Sequence, residues 1–278
     1  MYTYKRKKNF LNHLKTISKT ISLGFVPTMG ALHKGHLTLV ETSKKECEIT
    51  ICSIFVNPIQ FNSNDDFTNY PNTLTTDLKK LKTVNCDIVY IPAVDDIYYM
   101  GEEAKKFNFG TLTTSMEGSF RPGHFDGMAT VVEKFFKIIK PTSAFFGEKD
   151  LQQLQIVKAL VKKINLPIKI KGVPTVREVN GLAHSSRNKL LSKEGFKNAA
   201  MIYSCLKYCF KNKSKGIDTL KKYVNMQFKC KKSVKLEYLE FVNIQTMLPI
   251  SEWQIKNNNA VCIAAYVDGV RLIDNIIL

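Results

Sequence analysis

The sequence predicts an α/β protein, with a doubly wound parallel sheet over residues 1–175 and a second, smaller α+β unit over residues 176–278. Three observations predict it. Short apolar runs alternate with amphipathic segments through the first part, the pattern of repeated βαβ units. Ile49–Val56 is a largely apolar run, as expected of a parallel strand covered on both faces. Past residue 176 the alternation stops, and two long helical segments precede two strands.

The elements follow in order. Phe10, Leu14, Ile17 and Ile21 recur at helical spacing, with Lys15 and Lys19 between them, and predict an amphipathic surface helix. Ile21–Val26 reads as the first strand, and residues 27–36 as a Gly-containing loop that opens a helix. Ile49–Val56 is the next strand, Thr73–Leu81 a short helix, and Asp87–Ile91 a strand ending at Pro92. Met128–Lys140 reads as a helix stopped by Pro141, because proline cannot continue one. Ser143–Phe146 (strand), Leu151–Ile164 (helix) and Ile168–Val173 (strand) complete the first unit. In the second, Ser192–Lys213 and Ile217–Cys230 read as helices and Val234–Val242 and Ala260–Val267 as strands, the last turning at Asp268-Gly269.

Composition narrows the function. Of the 278 residues 44% are apolar and 23% charged, ordinary for a globular protein. No apolar stretch approaches the roughly 18 residues of a membrane helix, and the basic N-terminus lacks a secretory core. A cytoplasmic protein that neither binds nor spans a membrane is expected. The seven cysteines form no CxxC pair and no metal-ligand spacing, so reduced, mostly buried thiols are expected and no metal site. The formal charge of +17 invites a nucleic-acid reading. Yet only five of the 41 basic residues are arginine, the side chain that base and phosphate recognition favours. A solvated lysine-rich surface accounts for the charge better, and no nucleic-acid partner is expected.

Residues 27–36 read Pro-Thr-Met-Gly-Ala-Leu-His-Lys-Gly-His. On the first turn of a helix, positions three apart share a face, which sets His33 beside His36. Unpaired N–H groups at a helix start attract anions, so two imidazoles there suit a triphosphate. The alternative is a surface loop with two solvated histidines. Further segments past the other strand ends favour the first reading.

Those segments are FVNPIQF (55–61), RPGHFDG (121–127), GEKDLQQ (147–153), VPTVRE (173–178), NGLAHSSRN (180–188) and RLIDN (271–275). With PTMGALHKGH (27–36) they make the chain resemble, from about Gly24 to Asn275, the pantothenate synthetase (pantoate–β-alanine ligase) family of the HIGH-type nucleotidyltransferases. The resemblance implies a Rossmann-like nucleotide- and pantoate-binding domain with a C-terminal lid. It implies ATP-dependent condensation of pantoate with β-alanine through a pantoyl-adenylate. Mg²⁺ would reside mainly on the nucleotide, no prosthetic group is needed, and a homodimer built through the nucleotide-binding domain is expected.

Site residues carry over by position. Met29, Gly30, Ala31, Leu32, His33, Lys34, Gly35 and His36 would hold ATP with Gly147, Glu148, Lys149, Asp150, Val176, His184, Ser185, Ser186 and Arg187. Among them His33, His36 and Lys149 would stabilise charge on the phosphoryl oxygens, His36 as a proton donor. Gly147 and Asp150 resemble the positions that contact ribose, and Val176 offers its backbone to adenine. Gln60 and Gln153 would read pantoate, since a neutral amide satisfies hydroxyls and a carboxylate without burying a charge. Met29 and Phe61 would pack either its gem-dimethyl group or the core, and His124 and Arg121 either serve the site or shape a turn. Two departures stand out: His184 replaces the usual Met or Leu, and Asn72 an arginine. A sister nucleotidyltransferase would share HxGH and a serine-rich second loop, but not both FVNPIQF and GEKDLQQ.

Overall fold

The computed structural model describes all residues except 62–66, 69, 232 and 255–257. Among the described residues six parallel strands form the first sheet: β1 (Tyr2–Tyr4), β2 (Leu23–Thr28), β3 (Ile49–Ile54), β4 (Ile88–Tyr90), β5 (Ser143–Gly147) and β6 (Lys169–Val173). Their spatial order is β1-β4-β3-β2-β5-β6, and every pair is parallel. The order reverses at β2, whose neighbours are β3 on one side and β5 on the other. A crevice therefore opens beyond the carboxyl ends of β2 and β5.

The period of two sorts the core. Phe25, Ile51, Ile88 and Ala144 face one apolar layer, and their successors Val26, Cys52, Val89 and Phe145 face the other. The first layer is completed by α1 (Lys7–Thr16), by α6 (His124–Ile139) through Val132, Phe135 and Phe136, and by α7 (Leu151–Lys163). The second is completed by α2 (Lys34–Glu46) through Leu39 and Val40, and by α3 (Leu74–Thr83) through Leu81. Two one-turn helices, α4 (Val94–Ile97) and α5 (Glu117–Phe120), lie in the long β4–β5 connection.

The second sheet is antiparallel: β7 (Val234–Asn243), β8 (Asn259–Val267) and β9 (Val270–Ile277). It is covered by α8 (Lys193–Lys211) and α9 (Ile217–Cys230). Strand β8 is buried on both faces. Ala260, Cys262 and Ala264 join the core of the first sheet, while Val261, Ile263 and Ala265 join that of α8 and α9. The small unit is thus seated on the large one by a continuous apolar face.

Three expectations need correction. The amphipathic pattern ending at Ile21 overruns the helix: α1 stops at Thr16, and Ile17 is extended. Edge strand β1 was not anticipated, because three residues carry no readable period; it pairs with β4 through Tyr2–Ile88 and Tyr4–Tyr90. Helix α6 begins at His124, four residues before the expected Met128, because Gly123 at φ 80° turns the chain directly into it. The seven thiols are free, with six buried and Cys230 exposed. No helix among the described residues is long and apolar enough to cross a membrane.

Candidate active site

The loop after β2 is built by a residue that local sequence does not reveal. Asp77 of α3 is 1% exposed, and its carboxylate accepts the N–H groups of Ala31 (2.9 Å) and Leu32 (2.8 Å). The Thr73 hydroxyl donates to it at 3.1 Å. Ala31 sits at φ 49°, a left-handed conformation costing a non-glycine residue about 1–2 kcal/mol, which the carboxylate offsets. Lys80 closes the loop by donating to the Leu32 carbonyl.

The two histidines meet, but not as neighbours on a helix turn. His33 is the extended N-cap of α2, and His36 is its third residue. The His33 N–H donates to His36 Nδ1 (3.4 Å) and the Gly35 N–H to His33 Nδ1 (3.1 Å), a reciprocal capping box that brings the ring centroids to 3.9 Å. Gly35 has to be bare, since a Cβ there would lie 2.9 Å from the His33 ring. Each Nδ1 accepts a main-chain proton, so each ring carries its own proton on Nε2. Burial supports this: it lowers both pKa values, His36 to about 4, and neighbouring Lys149 pushes in the same direction. At neutral pH the pair presents two neutral Nε2–H donors. The N–H groups of Ala31, Leu32, His33 and Gly35 are already committed inside the protein.

The histidines line an open cleft of about 900 Å³ together with Met29, Gly35, Gly147, Lys149, Asp150, Gln153, Val176, His184, Ser185, Ser186 and Arg187. Thirteen of the residues expected to serve the site therefore come together here. Gly30, Ala31, Leu32, Lys34 and Glu148 do not line it; Ala31 and Leu32 are fully buried, and the Glu148 side chain lies against Gly172 of β6. The loop carrying Ser185–Arg187 docks on the first loop, where the buried Ser186 hydroxyl donates to the Ala31 carbonyl at 3.0 Å. Ser185 accepts from the Arg187 N–H and so holds the turn. The Val176 carbonyl accepts the His184 N–H at 3.0 Å. The His184 ring lies 6.0 Å from that of His33, nearly parallel, with Nδ1 3.0 Å from a Glu178 carboxylate oxygen.

Strand β9 supplies the second set of supports. Asn275 donates to the carbonyls of Glu148 (2.9 Å) and Lys149 (2.8 Å), which fixes the turn presenting Lys149. Asp274 takes a bidentate pair from Arg177, whose guanidinium lies 3.8 Å over the Tyr203 ring. Lys149 Nζ stands 3.5 Å from Asp150, and both line the adjoining cavities as well.

A contiguous pocket of about 750 Å³ shares Met29, His36, Tyr70, Asp150 and Gln153 with the cleft and adds Asn57, Gln60, Met128 and Phe135. Asn57 was missed by sequence reasoning, although it stands inside FVNPIQF. Its amide donates to the Gly127 carbonyl (3.1 Å) and to Gln60 Oε1 (3.4 Å), and Tyr98 donates to its oxygen (2.8 Å). A carbonyl can only accept, so the Asn57 orientation is settled, and with it that of Gln60, whose NH₂ is left for the pocket. Met29 lines the pocket, whereas Phe61 packs among Phe67 and Tyr70 instead. Among the described residues no group of three His, Cys, Asp or Glu is placed to hold a metal ion.

A family model described as pantoate-beta-alanine ligase matches residues 2–277. The pantothenate synthetase of Cytophaga hutchinsonii is 45% identical over 267 residues, 94% of this chain and 93% of its own. That of Azobacteroides pseudotrichonymphae is 47% identical over 265 residues, 95% of this chain and 94% of its own. Among solved structures, pantothenate synthetase from Thermus thermophilus matches with a TM-score of 0.92 at 36% identity, over 99% of each chain. Pantoate-beta-alanine ligase from Francisella tularensis, complexed with beta-gamma ATP and beta-alanine, matches with a TM-score of 0.84 at 36% identity, over 100% of this chain and 97% of that one.

Proposed function

The chain belongs to the pantoate–β-alanine ligase family, and on that footing we propose how its cleft divides the work of condensing pantoate with β-alanine at the expense of ATP. In the first step a pantoate carboxylate oxygen attacks the α-phosphorus and pyrophosphate leaves. In the second the neutral amine of β-alanine attacks the acyl carbon of pantoyl-adenylate, loses a proton, and AMP leaves. Neither step requires a protein nucleophile, so positioning and charge stabilisation carry catalysis.

One feature supports this reading above the others. A half lined by imidazoles and cations and a half lined by amides form one continuous cavity, joined at Met29, His36, Asp150 and Gln153. The triphosphate lies against the Nε2–H groups of His33 and His36, against Lys149 and under Ser185–Arg187. His36 gives its Nε2 proton a path toward the phosphoryl oxygens, and Lys149 matches the charge that builds there. Asp150 accepts from ribose hydroxyls beside the bare backbone of Gly147. The second lone pair of the Val176 carbonyl is open to the adenine amine. Gln60 and Gln153 bind pantoate, the fixed NH₂ of Gln60 donating to its oxygens, with Met29 against the gem-dimethyl group. Residues 176–278 act as the lid.

Mg²⁺ enters as part of the nucleotide substrate, neutralising charge on its phosphates. The same reading carries a homodimer through the nucleotide-binding half and a cytoplasmic location. The test is ATP–pyrophosphate exchange with β-alanine omitted. Exchange that appears only with pantoate is expected; exchange indifferent to pantoate would overturn the substrate assignment and bring other carboxylic acids into question.

A further inference from the structure

The segment RPGHFDG takes no part in the chemistry above, yet it reaches one of the residues that does. His124, 6% exposed, is the first residue of α6. Its Nε2 lies 3.1 Å from Arg121 Nη1 and its Nδ1 3.0 Å from the main-chain carbonyl of Gln60. A guanidinium only donates, so Nε2 is the acceptor, and Nδ1–H donates to the Gln60 carbonyl. One turn along α6, Gly127 lets the same backbone approach: a Cβ there would fall 2.3 Å from the Ile59 carbonyl oxygen and 2.8 Å from Gln60 Cα. Helix α6 thus grips the Pro58–Gln60 turn at two points, one polar and one steric.

The polar grip continues away from the site. Arg121 Nη1 is 3.6 Å from Glu117. Glu117 takes a bidentate pair from Arg271 of β9, at 2.6 and 2.9 Å, and accepts from the Tyr238 hydroxyl of β7 at 2.9 Å. An unbroken chain of contacts therefore runs from the second sheet to the main chain of Gln60.

We propose that His124 is a positioning residue for pantoate recognition, its Nδ1–H fixing the Gln60 main chain so that the Gln60 amide meets the substrate. This rests on Gln60 reading pantoate, as put forward above.

Two conservative variants separate the contacts of the ring. Asparagine places its NH₂ where Nδ1 stands, so His124→Asn keeps the donor to Gln60 and gives up the acceptor for Arg121. Glutamine places its amide where Nε2 stands, so His124→Gln does the reverse. Steady-state kinetics should give His124→Asn a KM for pantoate within about threefold of the parent, and His124→Gln one raised about tenfold, as loss of roughly one hydrogen bond to the site implies. KM for ATP should stay within about twofold in both, as for uniform binding of an untouched substrate. Equal pantoate KM values in the two variants would overturn the proposal, as would pantoate and ATP moving together. Gln60→Ala is the companion measurement. If it leaves the pantoate KM unchanged, the reading of Gln60 fails and this proposal with it. If it raises that KM while the two His124 variants agree, only the role of His124 is lost.

Discussion

At the residue scale the chemistry rests on how few groups are left unsatisfied. His33 and His36 each spend Nδ1 on a backbone N–H, which removes the ambiguity of an imidazole and turns both rings into donors. Lys149 is held by its own main chain through Asn275, so the cation is aimed rather than floating. Groups of this kind act where charge develops, and removing one such donor typically costs about a hundredfold to a thousandfold in turnover. His36→Ala and Lys149→Ala should therefore each lower kcat about a hundredfold or more with the fold intact. Near-normal turnover in either would remove that residue from the mechanism. The residue types were legible in the sequence, since a phosphate site wants imidazole, lysine and small glycines. Their arrangement was not: i,i+3 spacing places His33 and His36 on one helical face, whereas the structure folds them into a capping box.

At the element scale the site is a set of turns, each held from a distance. Asp77 reaches back 46 positions to Ala31, and Asn275 reaches 126 positions to Lys149. No local pattern announces such pairs, which is why the motif RLIDN stood in the sequence without a reason. The structure supplies one, since Arg271, Asp274 and Asn275 of β9 hold α5, the Arg177 turn and the GEKD turn respectively. Asp77 is the sharpest test of these supports. Asp77→Ala orphans two buried N–H groups, at about 1–3 kcal/mol each, and frees Ala31 from its left-handed conformation. Denaturant unfolding should show a lower midpoint at unchanged slope, a loss of roughly 2–5 kcal/mol. Retained stability would mean that water replaces the carboxylate and that the loop is held by other means.

At the scale of the whole molecule, the alternation of strands and helices in the first unit was accessible from apolar patterning, because βαβ units leave a strong and repetitive signature, whereas the order of the strands in the sheet was not. The seating of the second sheet was not, because β8 reads as an ordinary apolar strand although its faces serve different cores. The assembled protein also acquires a pH dependence that no single segment has. His124 is buried and His33 and His36 are half-buried, and desolvation lowers each pKa, those of His36 and His124 to about 4, so all three are neutral in the folded protein at neutral pH. The unfolded chain binds those protons near pH 6.5 and the folded one only at lower pH, so between these values the unfolded state holds more protons. Stability is accordingly undiminished above about pH 6.5 and falls as the pH drops toward about 4. Glu117, which burial alone would raise but Arg271 holds below its usual value, adds to the loss under more acid conditions; Asp274, raised by burial, works the other way. Urea unfolding at a series of pH values should show this decline beginning near pH 6.5, with a shallower slope in His124→Asn, which lacks one of the titrating rings. A profile flat from pH 8 to pH 5 would mean that the folded protein takes up these protons as readily as the unfolded chain, so that burial does not lower the pKa values of the rings. The neutral donor pair assigned to His33 and His36 would then hold only above about pH 6.5 and would be lost by about pH 5.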